Sequence, residues 1–264
     1  MKSKFLNPAL FKLERRKGLS TLIWFSAITA VLIFLSCAIY PAIKDVLAGN
    51  TALAQLGITF GSMAEYFNAE ALEMWLLPVL LFVSCSVVMT TTNEFRNGSY
   101  ELIYTLNISR CEIIRTKLVK VVLDTLIINI VSFGVSAIGL AIFSNGGINY
   151  LNLLVYFLIA FLVSVEVAFI IFAITLVGKK RVNMFTGIVI SVVFYLFATL
   201  MNVGENGSTE ALGFLTPLSA LNGTIMTNGF AGVFKHGIVL AVWGAISIIL
   251  LLLGIQRFKN DDLV

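Results

Sequence analysis

Leu151–Val177 reads LNLLVYFLIAFLVSVEVAFIIFAITLV, 27 residues in which Glu166 is the only charge. An α-helix rises about 1.5 Å per residue, so this run can cross a hydrocarbon layer of about 30 Å. Lys179, Lys180 and Arg181 follow at once and mark one end of the span. Working outward, five more apolar stretches of 18 to 23 residues stand out. They are Ser20–Tyr40, Trp75–Thr92 and Val121–Phe143 before the quoted run, and Met184–Asn202 and Gly237–Ile255 after it. With six spans alternating in direction, sixteen of the eighteen Lys and Arg residues fall on one side, and only Lys44 and Lys235 on the other. Basic residues close to spans are retained in the cytoplasm, so both termini are expected inside.

Composition agrees with this reading. The chain has 264 residues, 59% of them hydrophobic, and a mean hydropathy of +0.97, which excludes a soluble globular class. The expected fold is therefore an all-α membrane protein, with residues 1–264 forming a single transmembrane domain. The net charge of +4 is assigned to the cytoplasmic rim, where anionic headgroups attract Lys and Arg. Nucleic acid is not an expected partner, because the basic residues are spread over four separate inner segments. Cys37 and Cys85 lie within spans and Cys111 on the inner side, so no disulfide framework is expected.

Residues 5–18 precede the first span. Leu6, Leu10 and Leu13 recur at helical spacing, with Lys12, Arg15, Arg16 and Lys17 on other faces. The pattern predicts an amphipathic helix lying in the membrane plane, with Pro8 in its first turn and Gly18 as its stop. Outside, Ser144–Asn149 contains an Asn-Gly-Gly turn that makes the third and fourth spans a hairpin. The outer segment 203–236 carries apolar runs around Pro217 and Phe230 that are too short to span. Such runs suit re-entrant or interfacial half-helices covered by protein.

The most polar inner stretch is 93–120, NEFRNGSYELIYTLNISRCEIIRTKLVK. Gly98 breaks the second span, and 99–106 then form a short helix with Tyr100, Ile103 and Tyr104 on one face. Ser109 and Glu112 fit a capping box that opens a new helix running into the third span. Exposed rings on such a helix call for a partner. The pattern resembles the ABC-2 type permeases, the membrane subunits of one class of ATP-driven exporters. The matching positions are Glu94, Gly98, Ser99, Glu101, Leu102, Ser109, Arg110 and Lys117; where the family often has Pro two residues before the Ser, this chain has Asn107. The resemblance implies that Tyr100, Tyr104 and their neighbours form a coupling helix docking on a separate ATPase subunit, two copies of which would serve a permease dimer in a bacterial plasma membrane. The dimer partner would be a second copy or a paired paralogue. No phosphate-cradling Gly-x-x-x-x-Gly-Lys-Ser/Thr is present, so ATP and Mg are expected on that partner and no cofactor on this chain.

Within the membrane, Glu166 sits near the middle of its span. A carboxylate there costs at least about 2.5 kcal/mol, so it should face a cavity, a partner helix or a subunit seam. Phe194 and Phe197 are placed with it as possible lining of an apolar route. For Asp124 a structural role is favoured over a functional one, since Lys120 sits one turn away and near the interface. The chain is thus expected to be a transport subunit and not an enzyme, exporting hydrophobic or amphipathic, antimicrobial-type peptides. The alternative is an ion-coupled carrier with Glu166 as its proton relay. An intramembrane enzyme is disfavoured, since His236 is the only His and no Ser or Cys has a base at helical spacing.

Overall fold

A computed structural model of the chain describes residues 6–48, 63, 66–67, 75–97, 108–144, 148–201, 214–221, 225–226, 229–234 and 237–260. Every regular element in them is helical. In chain order they are α1 (Pro8–Ala48), α2 (Leu77–Arg96), α3 (Arg110–Phe143), α4 (Tyr150–Gly178), α5 (Met184–Met201), the short α6 (Phe230–Phe234) and α7 (Gly237–Asn260). Five of them, α1, α2, α3, α4 and α7, are long and apolar enough to cross a membrane, which makes the chain a multi-pass membrane protein. The remaining expected span, Met184–Asn202, forms the 18-residue α5, the shortest of the six long helices.

Local chemistry accounts for the helix ends. Asn7 accepts the amides of Ala9 and Leu10 at 3.1 Å and so caps α1, with Pro8 at its first position. The Ser109 hydroxyl accepts the Glu112 amide at 3.2 Å, the hydroxyl half of the expected capping box. Asn149 does the same for the Leu151 amide at 3.0 Å. At the far end of α4 the chain turns back sharply. A Cβ on Gly178 would lie 2.2 Å from the Val182 side chain, and Lys179 takes a positive φ of 48°.

The helix expected to stop at Gly18 does not stop. Residues 8–48 form one helix of 41 residues, running through Gly18 and Pro41. No separate in-plane helix over 5–18 is formed by the described residues. The reason lies in packing, since Gly18 is a position where α1 lies against the Lys120 side chain of α3. At about 60 Å, α1 is roughly twice as long as a hydrocarbon layer is thick, and α3 at about 50 Å is also too long. The two pair along their lengths, so both extend past the apolar layer.

Burial divides the helices into two groups. In the most apolar stretch of α2 72% of residues are buried, and in α4 67%, against 22% in α7 and 28% in α1. α2 is the central helix, touching α1, α3, α4 and α5. The outer helices expose Trp24, Ile28, Ile130, Ile138, Ile249 and Leu252, an apolar surface suited to lipid. Small residues set the close approaches. Gly187 and Ser191 bring α5 against α2, where Ser191 and Ser84 share a 2.5 Å hydrogen bond. On α7 the contact with α4 is made at Gly244 and Gly254.

Two short pieces close the opposite end of the bundle. Pro217–Ala220 form a buried 3-10 turn capped by the Thr216 hydroxyl and pack on α4, α5 and α7. Asn152 of α4 donates to the Met226 carbonyl at 3.1 Å, and Ile225 and Met226 join the main apolar core. These pieces and α6 are the described residues of the segment 203–236. The Asn-Gly-Gly turn lies outside the described residues.

Candidate functional site

Four helix ends meet at one end of the bundle. The Asn7 amide at the start of α1 donates to Thr116 of α3 at 3.2 Å, and Leu10 packs on Ile113. The Arg110 guanidinium at the start of α3 donates to the Lys259 carbonyl at 3.1 Å, meeting one of the open carbonyls that end α7. Phe95, at the end of α2, meets Phe258 edge-on at 5.9 Å. The first residues of α1 and the last of α7 therefore lie on the same side of the bundle.

Charged side chains are buried in this convergence. Lys117 of α3 donates to the Glu94 carboxylate and to the Thr90 carbonyl of α2, and stands 3.7 Å from Glu14 of α1. Lys17 of α1 reaches Glu94 at 3.1 Å and Glu14 at 3.6 Å. One turn deeper, the Lys120 ammonium has its three protons directed to Ser86 and Thr90 at 3.1 Å and to Asp124 at 2.9 Å. Lys120 and Asp124, one turn apart on α3, form an ion pair. Gly18 makes room for it, because a Cβ there would be 2.6 Å from the Lys120 nitrogen. Glu14, Glu94, Lys117 and Lys120 are each at least nine-tenths buried, whereas Lys17 is half exposed.

The cluster lies beyond the apolar stretches of α1 and α2. Burial pushes the Glu14 carboxyl up to about 7 against the pull of Lys117, and a hydrogen bond shared with Glu94 raises it further. Burial also acts upward on Glu94, but the Lys117 ammonium, the hydrogen bond from Glu14 and Lys17 outweigh it and hold that group below its ordinary value. Below about pH 7 the two carboxyls thus share one proton, with Glu94 the ionised partner. Beside them a cavity of about 210 Å³ is lined by Glu14, Lys17, Gly18, Thr90, Asn93 and Lys120, among others.

No protein-family model matches the sequence, and no curated protein shows significant similarity to it. What the site can do is therefore read from its geometry. Three helices from distant parts of the chain are locked together by a buried charge network at the point where α2 ends and α3 begins.

The structure distributes the expected coupling residues unevenly. Glu94 and Lys117 are brought together and bind each other, so their charges face inward. Ser109 caps α3, and Arg110 is held against the end of α7. Gly98, Ser99, Tyr100, Glu101, Leu102 and Tyr104 lie outside the described residues. Glu14 and Lys17 are central to the network and were not singled out from the sequence. A signal existed, because Glu14 is the only acidic residue before Asp45 in a strongly basic arm.

Glu166 is buried at the seam between α4 and α7, where a Cβ on Gly244 would lie 3.2 Å from its Oε1. Its Oε2 has no hydrogen-bond partner among the described residues. Phe194 stacks edge-on with Trp243 of α7 at 5.6 Å, and Phe197 is half-buried on the same helix as Phe194. Trp243 in turn donates to the Phe214 carbonyl at 3.0 Å. Phe194 is thereby part of the packing that fastens the segment around Phe214 to α7. Among the described residues no three His, Cys, Asp or Glu are placed to hold a metal ion.

Proposed function

We propose that this chain is the membrane subunit of an ATP-driven exporter of the ABC-2 type, crossing the plasma membrane six times with both ends in the cytoplasm and working as a dimer with two copies of a separate ATPase. The observation that carries this reading is the Glu14–Lys117–Glu94–Lys17 network. It ties the protruding arm of α1 to the two legs, α2 and α3, that flank residues 98–107. A force applied to that segment by a partner would reach three helices as one rigid body, which is what coupling a soluble motor to a membrane bundle requires. The cargo we infer is a hydrophobic or cationic amphipathic peptide, in keeping with an apolar bundle that lacks large outer domains.

The test is capture of the chain in mild detergent, followed by measurement of ATP hydrolysis in the captured complex. The reading expects a stoichiometric ATPase whose binding weakens in Glu101→Ala and Tyr104→Ala. A chain that purifies alone under all such conditions argues against it.

One observation favours a second reading. Glu166 is buried with an unpartnered oxygen, as a proton relay of an ion-coupled carrier would be. That carrier would move its cargo down a proton gradient without any ATPase and would lose activity in Glu166→Gln.

A further inference from the structure

The ends of α4 and α7 that lie beside the charge network enclose a groove of about 390 Å³. We propose that this groove holds one acyl chain of an anionic phospholipid, with the lipid phosphate against Arg257. The groove is lined by Ala173, Ile174 and Val177 of α4, Val182 of the following turn, and Leu250, Leu253 and Arg257 of α7. At its floor the helices touch, since a Cβ on Gly254 would come within 3.1 Å of the Ala173 Cα. Apart from Arg257 every lining side chain is apolar, and Leu253 is 57% exposed.

Depth and charge point to a lipid. From Leu250 to Arg257 is seven residues, or about 10 Å, roughly two-thirds of one hydrocarbon leaflet. Arg257 stands at the mouth, exposed, with no hydrogen bond or ion pair to any described residue. A guanidinium is the side chain best shaped to accept a phosphate in a bidentate manner. No acidic residue lines the groove. Basic pockets between spans at the headgroup level favour anionic over zwitterionic lipid. A free phosphate would find the same charge but would leave the apolar groove unfilled.

The full chain is placed in nanodiscs of equimolar phosphatidylglycerol and phosphatidylcholine and extracted in mild detergent, and the co-isolated lipid is measured by mass spectrometry. The expected result is enrichment of phosphatidylglycerol by about fivefold, undisturbed by excess inorganic phosphate. Arg257→Gln should return the ratio towards parity, and Ile174→Trp, which fills the groove and leaves Arg257 in place, should do the same. Lys12→Gln, removing a basic residue from α1 instead, should leave the enrichment intact. Parity in the unaltered chain, enrichment that survives both groove variants, equal loss in Lys12→Gln, or displacement by phosphate would each overturn the proposal.

Discussion

Gly18 of α1 lies directly over the ammonium of Lys120 on α3, so close that a methyl group at position 18 would sit 2.6 Å from the nitrogen. The end of a lysine is normally free to move aside. This one is pinned by Ser86, Thr90 and Asp124 and is buried, so it has nowhere to go. Gly18→Val should therefore destabilise the chain by about 1–3 kcal/mol, despite removing a glycine from a helix. The effect should shrink in a Lys120→Met background, giving a coupling of about 1 kcal/mol in a double-mutant cycle read by thermal unfolding in detergent. Strict additivity would show that the two residues do not touch.

Glu94 and Lys117 form a buried ion pair, and removing one partner strands the other charge. Glu94→Ala or Lys117→Met should each cost about 3–5 kcal/mol, while the double variant should be less affected than the sum of the two. Denaturation midpoints of the three purified variants would decide this.

The shared proton predicts a pH dependence. Glu14 is raised from 4.5 to about 7 on folding, so its stabilising contribution is complete below about 4.5 and is lost as pH rises through about 7. Glu94 is lowered, so its contribution is present above its ordinary 4.5 and is lost only as pH falls through its lower folded value. Thermal stability should consequently decline between pH 5 and pH 8, and Glu14→Gln should flatten that decline. An unchanged profile in Glu14→Gln would place the titration elsewhere.

Gly254 packs against backbone, with a Cβ only 3.2 Å from the Ala173 carbonyl oxygen. Gly254→Leu has no flexible neighbour to displace and should separate α7 from α4 at a cost of about 1–3 kcal/mol. Gly237→Leu, whose Cβ would meet nothing nearer than the Val233 side chain at 3.9 Å, should be tolerated much better. Comparing expression and unfolding temperature of the two variants checks the assignment.

Much of the scaffold was legible because bilayer crossing imposes a length and an apolarity on each helix, and both are written locally. The same holds for the Ser109 cap, which depends on residues three apart. Gly18 was misjudged because a glycine after a basic run looks the same whether it ends a helix or admits a neighbour. Only the position of Lys120, about a hundred residues on, separates the two. Likewise Glu94 and Lys117 were recognised as special, but their partner Glu14 lies in a remote arm and their mutual burial is a tertiary fact. Glu166 is expected from the sequence to face a cavity, a partner helix or a subunit seam, and nothing local identifies Gly244 as its neighbour.

The most direct test is transport by the purified chain in sealed vesicles, with a fluorescent cationic amphipathic peptide as cargo. Vesicles holding this chain alone should move nothing under either ATP or a proton gradient, and transport should appear with ATP when the captured ATPase is included. Peptide movement driven by a proton gradient through the chain alone, and abolished in Glu166→Gln, would contradict the account.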